Sequence, residues 1–247
     1  MNDFWNNTPR SLLLVPAIIG ASIILSTIIA STVFYKVRSF DNVLSVTGST
    51  KVSVRSDQAR WVARFNRTVY ASSLKTGYAD MAADLRAVKE FYAKRGIAEA
   101  DLVISPVFMD EMYSYKENGF SEKQYNLRQT VEMQSSDVEK VTALANDVSA
   151  PINNGVLFST QSLEYYYSKL PDLRVSLLSG ALKDAKARAS EIAASGGNKV
   201  GALRAASSGV VQVLPHNSIE VMDYGAYDTS AIEKDVMVTV KASFSVK

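Results

Sequence analysis

Residues 59–94 read ARWVARFNRTVYASSLKTGYADMAADLRAVKEFYAK, and the hydrophobic period changes inside this stretch. From Ala59 to Ala71 it is two: Trp61, Ala63, Phe65, Arg67 and Val69 fall on one face, and Val62, Arg64, Asn66, Thr68 and Tyr70 on the other. That is the alternation of a strand. From Thr76 to Lys94 the spacing becomes that of a helix. Tyr78, Met81, Leu85, Val88 and Phe91 or Tyr92 form a stripe opposite Asp80, Asp84, Lys89 and Glu90, and Gly96 supplies the stop. A strand feeding an amphipathic helix implies a sheet with helices packed on it.

The same order recurs downstream. Asp101–Tyr115 has strand character, with Pro106 requiring an edge or a bulge. Lys116–Lys123, containing Asn118-Gly119, reads as a hairpin loop into a strand over Gln124–Gln134. Ser135 or Ser136 then caps a short helix carrying Val138, Val141, Leu144, Ala145 and Val148, which Pro151 and Gly155 end. Val156–Tyr167 is strand again. Two strand-helix-strand units joined by a hairpin give a split βαβ pattern, so the fold class is α+β. Both units close on tyrosines, Tyr113 and Tyr115 in the first and Tyr165–Tyr167 in the second; aromatic residues at strand ends usually pack over the sheet.

Pro171–Ser195 is the longest soluble helix. Pro171 suits its first turn and Ser195-Gly196-Gly197-Asn198 its end. Two C-terminal strands follow, 200–213 and 235–246. In the second, Val236, Val238, Val240, Ala242, Phe244 and Val246 alternate without a break, and Lys241 is its one interior charge. Such a strand on a sheet edge invites another chain, so Val236, Val238, Val240 and Phe244 are the candidate subunit edge, unless the strand over 42–55 covers it. Between them, Leu214–Lys234 is a long polar loop with Pro215, His216 and Gly225.

Upstream, Asn42–Arg55 alternates as a strand, and Gly48 within it marks a bulge or a close backbone approach. Before that lies Ser11–Tyr35, 25 residues without a charged side chain, bounded by Arg10 and Lys36. Thirteen of them are Leu, Ile, Val or Phe, contributing at most about −4 to −8 kcal/mol to insertion. At 1.5 Å per residue the helix is roughly 36 Å long, enough to span with tilt. The run is longer than a cleavable signal core and lacks a clean small-x-small site, which favours an uncleaved anchor. Ser22, Ser26 and Ala30 recur every four residues and form a candidate helix–helix contact. Lys36 and Arg38 outnumber Arg10 plus the amino terminus. A literal positive-inside count would keep the large domain in the cytoplasm, but large domains translocate largely regardless of such charges.

Composition narrows the functions. With 27 basic and 25 acidic residues interspersed, the net charge is +2 and no basic face for nucleic acid is apparent. Cysteine is absent, which removes disulfides, thiol catalysis and thiolate metal sites. His216 is the single histidine, too few for the usual zinc site, and no nucleophile elbow accompanies it. Asp110-Glu111 point to opposite faces of their strand. Gly196-Gly197 follow a helix, where a phosphate-cradling loop must precede one. No catalytic, cofactor-binding or metal residue is assigned, and no cofactor is expected.

Val46-Thr47-Gly48-Ser49-Thr50-Lys51-Val52-Ser53-Val54 with Asp57-Gln58-Ala59, Lys183–Ala189 leading to Gly196–Gly201, and the closing 236–244 strand together resemble the SIMPL domain family, DUF541. The similarity spans 42–247. Ser56 departs from it, since many members carry Pro before the Asp. The resemblance implies an exported bacterial envelope protein, some members being anchored and some thought to assemble into rings, and it carries over no catalytic residue. The expected organisation is a tail over 1–10, a transmembrane helix over 11–36, a linker over 37–41 and a SIMPL-like domain over 42–247. The expected location is the bacterial inner membrane, single-pass, with the domain in the periplasm. Two functional classes follow. One is a non-enzymatic envelope protein forming a homo-oligomeric ring or cage, with membrane lipid, its own copies and other envelope proteins as partners. The other is a sensor or scaffold module binding a ligand or partner through the 214–234 loop and the tyrosine clusters.

Overall fold

The computed structural model describes residues 10–38, 42–112, 123–218 and 224–247. In chain order the elements are α1 (Arg10–Arg38), β1 (Val43–Arg55), β2 (Gln58–Tyr70), α2 (Leu74–Lys94), β3 (Leu102–Ile104), β4 (Phe108–Met112), β5 (Gln124–Ser135), α3 (Val138–Asn146), α4 (Ser149–Asn153), β6 (Phe158–Tyr166), α5 (Leu170–Ser195), β7 (Val200–Pro215) and β8 (Glu233–Val246). The class is α+β. Tyr113, Tyr115, the Asn118-Gly119 turn, the first nine residues and most of the 37–41 linker lie outside the described residues.

The chain forms two compact units: Met1–Thr50 with Leu178–Gly209 and Thr239–Lys247, and Lys51–Leu177 with Val210–Val238. The second holds the split βαβ sheet, ordered β3-β5-β2-β6, with β4 also pairing β5. The strands of this sheet pair antiparallel, with β2 and β5 in register from Ala59↔Ser135 to Tyr70↔Gln124. Pro106 divides the expected 101–115 strand into β3 and β4, both on β5, because proline cannot donate to the ladder. Trp61, Ala63 and Phe65 of β2 are fully buried against Met81, Val88, Phe91 and Tyr92 of α2 and Val141 and Leu144 of α3. The α2 stripe differs from expectation in two places. Asp84 is buried and accepts from Arg67 Nε (2.5 Å) and Nη2 (2.8 Å), whereas Tyr78 is exposed. Arg67 sits on the core face of β2, and its charge is satisfied only by drawing an acid from the helix. At α3 the N-cap is Asp137, whose carboxylate accepts from Lys140 N, and Pro151 sits inside the short α4.

In the other unit, α5 lies on the three-stranded sheet β1-β8-β7. Ala181, Ala185 and Ala189 meet Val240, Ala242 and Phe244, with Leu44, Val46, Leu178, Leu182 and Val200 around them. Alanine at every fourth position lets the helix backbone come close to the sheet. At Gly48 a Cβ would stand 2.2 Å from Ala185 N and 2.3 Å from Ala181 O, so the glycine marks a close backbone approach. The helix ends in a Schellman closure: Gly197, with φ +74°, donates to Ala194 O and Asn198 N to Ala193 O.

β8 corrects the edge assignment. It lies between β1 and β7, and Val236, Val238, Val240 and Phe244 are buried. An unbroken apolar face signals burial without naming the neighbours, and here β1, from the far end of the domain sequence, provides the cover. The edges of this sheet are β1 and β7; β7 is held by the 226–228 segment at Val213 and is exposed at nine consecutive positions from Ala202 to Val210.

α1 contains one span, Pro16–Lys36, long and apolar enough to cross a membrane, and none of it is buried. That is compatible with a single-pass anchor or a signal sequence. Ser22, Ser26 and Ala30 are exposed on it. The two hydroxyls are turned back into the helix, Ser22 donating to Ile19 O and Ser26 to Ser22 O. A smooth strip remains, continuous with a shallow concavity lined by Ser26, Ile29, Ala30, Val33 and Phe34.

Candidate functional site

The 214–234 loop and the tyrosines of β6, two segments that sequence alone left unconnected, come together within the second unit. Residues 219–223 of the loop lie outside the described residues. From Tyr224 onward the loop is fixed as a strap. Val213 N donates to Ala226 O (2.7 Å) and Asp228 N to Val213 O (2.8 Å) on the β7 side. On the β6 side Tyr165 N donates to Thr229 O (2.8 Å) and Tyr167 N to the Tyr227 hydroxyl (3.3 Å). The Tyr227 and Tyr166 rings pack at 6.1 Å between centroids. Tyr166 donates to Glu164 (2.5 Å), and Arg60 binds both Glu132 and Glu164. Tyr165 is buried, its hydroxyl 2.9 Å from that of Thr142. Of the strand-end rings, Tyr165 packs into the core as expected, whereas Tyr166 meets Tyr227 of the strap; Tyr224 in the loop stands almost fully exposed.

Two buried charges at the start of β8 hold the ends of the loop. Lys234 is wholly buried and donates to Asp228 O (2.6 Å) and Asp228 Oδ2 (3.1 Å). Burial alone would raise the Asp228 carboxyl, but hydrogen bonds from Ser230, Ala231 N and Lys234 outweigh it and bring it down to about 2. Asp235 points the other way. Its side chain, 1% exposed, accepts from Lys51 Nζ (3.0 Å), Ser53 Oγ (2.6 Å) and Asn217 N (3.1 Å), and lies 3.0 Å from His216 Nδ1. Burial opposes ionisation here too, and the donors Ser53, Lys51, His216 and Asn217 win, holding the carboxyl far below the usual range. Asn217 takes a left-handed backbone (φ 63°) to reach it.

Ser53, His216 and Asp235 therefore meet, a convergence that sequence reasoning missed because the three are spread over 183 positions. The only local signal was the same-face spacing of Lys51 and Ser53 within β1. The geometry is not that of a serine triad, in which Ser faces Nε2 and Asp faces Nδ1. Ser53 Oγ is 3.5 Å from Nδ1, the nitrogen already on Asp235, and its hydrogen bond goes to the carboxylate. What the cluster does is fasten Asn217 and the loop start to β1 and β8. Asp57 instead fixes the chain just after β6, accepting from Ser168 N and Oγ. Ser56 N donates to Ile232 O (2.9 Å), a bond that the Pro expected from the family pattern could not make. Among the described residues no group of His, Asp and Glu has the arrangement of a metal site.

Fold and site define a class: an α+β domain with a split βαβ sheet, a helix-backed three-stranded sheet and a pinned loop, preceded by an apolar helix. The chain belongs to the SIMPL family, described as "Protein of unknown function (DUF541)", whose model matches residues 44–246. No curated protein matches it.

Proposed function

We propose that this is a non-enzymatic, single-pass cell-envelope protein whose domain lies in the periplasm and self-assembles into a homo-oligomeric ring or cage with a structural or interaction role. The observation that carries this reading is β7. Beyond the end that the strap pairs at Val213, this edge strand runs through nine consecutive exposed residues, Leu203 and Val210 among them, a long stretch to leave uncovered. Natural edges are normally shortened, charged or covered, because their unpaired N–H and C=O groups recruit another chain. Tethering by α1 would concentrate copies in one plane, and the Ser22, Ser26, Ala30 strip would let anchors approach closely. Closed symmetry then gives a ring in place of an open filament. Membrane lipid, the chain's own copies and other envelope proteins are its partners, and nucleic acid is not.

The alternative, a periplasmic sensor or scaffold module working through the 214–234 loop and its tyrosines, is less well supported, because Tyr165, Tyr166 and Tyr227 spend their hydroxyls on internal partners. The test is light scattering on full-length protein in mild detergent, with Leu203→Lys/Ala206→Lys as the charged-edge variant. The expected result is a defined oligomer that the variant dissociates. A monomer at every accessible concentration sinks the proposal and moves the sensor reading ahead.

A further inference from the structure

At the end of the three-stranded sheet where β1 begins, two lysines face each other, and among the described residues no Asp or Glu side chain pairs with either. Lys199 N donates to Lys247 O (2.7 Å) and Lys247 N to Lys199 O (2.9 Å), so the two residues are a directly opposed, hydrogen-bonded cross-strand pair. Like charges so placed repel. Both side chains are exposed, and neither has an ion-pair partner among the described residues. By contrast, Lys51 of β1 and Arg60 of β2 each meet a carboxylate across the sheet.

Beside the pair opens a groove of about 540 Å³ lined by Asn42, Leu44, Ile192, Asn198, Val246 and Lys247 together with Val43 and Ala193. Its walls are of two kinds. Asn42 and Lys247 offer amide and ammonium donors, Asn198 Nδ2 already donating to Gly196 O (3.0 Å), while Val43 and Ile192, 40% and 53% exposed, leave an apolar rim bare. The carbonyls at the end of α5, which would repel an anion, are already occupied by the N–H groups of Gly197 and Asn198. A group with an anionic head and an apolar body fits both walls.

The position of Asn42 in the chain says where that group comes from. It follows Lys36, the last residue of the apolar span, by six residues. Even a fully extended chain carries it no more than about 21 Å from that span. The Val246 N–H donates to Asn42 O, which fixes the groove to this tethered point.

We propose that this groove and the Lys199–Lys247 pair bind the phosphate head of an anionic phospholipid, seating this end of the sheet on the membrane surface. The proposal rests on the reading of α1 as a membrane anchor. A lysine near an anionic surface is worth about fivefold in binding, so the pair supplies about thirtyfold.

The chain contains no cysteine, so Ser195→Cys, next to the groove but outside its lining, gives a single labelling site for an environment-sensitive dye. Full-length protein would be reconstituted into vesicles of phosphatidylcholine alone and of phosphatidylcholine with phosphatidylglycerol. A blue shift, with quenching by nitroxide-headgroup lipid, is expected only with phosphatidylglycerol. Lys199→Gln/Lys247→Gln should abolish it, Lys199→Arg/Lys247→Arg should keep it, and high salt should reverse it. Equal signals in both vesicles, or a glutamine variant that behaves as wild type, overturn the proposal. So does a shift produced by inorganic phosphate without anionic lipid, which would make this a free-anion site. Release of the chain from both vesicles by alkaline carbonate is a different failure, that of the anchor reading itself.

Discussion

Replacing Gly48 by Ala tests the contact between α5 and its sheet most sharply. The added methyl would sit 2.2 Å from Ala185 N, 2.3 Å from Ala181 O and 2.7 Å from Ala185 Cα, all helix backbone, where ordinary contact begins at 3.4 Å. No rotamer change relieves the clash, so helix and strand must part by about 1 Å at a site where interiors tolerate little. Overpacking of this kind costs about 1–3 kcal/mol. The shift also strains the hydrogen bond from Ser49 N to Asp184 Oδ2 (2.8 Å), worth about 1–2 kcal/mol with a charged acceptor. Against this stands the gain from removing a glycine from the unfolded chain, about 0.5–1 kcal/mol. The net loss is about 1–4 kcal/mol, a large part of a typical domain's stability. Urea unfolding of the full-length protein in detergent, followed by far-UV circular dichroism, reads it. Gly180→Ala is the control: its methyl would meet the Thr50 side chain at 2.6 Å, which can rotate away, so the loss should be smaller and Thr50→Ala should restore it. If Gly48→Ala is within about 0.5 kcal/mol of wild type, or no worse than Gly180→Ala, the close-packed helix–sheet contact is wrong.

The pH dependence follows from Asp228 and Asp235. Both titrate lower folded than unfolded, so their contribution is present above the unfolded value of 3.8 and is lost as pH falls toward about 2 for Asp228 and lower still for Asp235. Asp228 alone accounts for about 2 kcal/mol, and Asp228→Asn should flatten the acid limb of a stability–pH curve; an unchanged curve contradicts the assignment. Tyr227→Phe removes the acceptor for Tyr167 N and should cost about 1 kcal/mol, while Tyr227→Ala also loses the ring contact with Tyr166 and should raise amide exchange across 224–230. Equal exchange in wild type and both variants would show that the strap is held elsewhere. In α1, Ser26→Leu should weaken self-association in detergent without altering the circular dichroism of the domain, since Ser26 is exposed and its hydroxyl bonds only within the helix; unchanged association removes the Ser22, Ser26, Ala30 strip from the assembly.

Local periodicity determined much of this protein. The switch from alternation to helical spacing after Ala71, the apolar run of α1, the Gly196-Gly197 stop and the two strand-helix-strand units are all short-range properties, set by backbone geometry and side-chain pattern within a few residues. At Gly48 the sequence left a bulge or a close backbone approach open, and only the packing of α5 on β1 decided for the approach. Tertiary structure alone decided the neighbours. The face of β8 left open whether another chain or the 42–55 strand covers it; β1 does, and β8 is a centre, since burial on one face does not specify which strands flank it. Asp84 read as solvated because its partner Arg67 lies across a strand–helix crossing. The meeting of Lys51, Ser53 and His216 on Asp235, and the reach of the 224–232 strap from β7 to Tyr165–Tyr167, join residues far apart in the chain. Such contacts are specified by how the layers pack and by the need to pair every buried charge, and neither leaves a local pattern in the sequence.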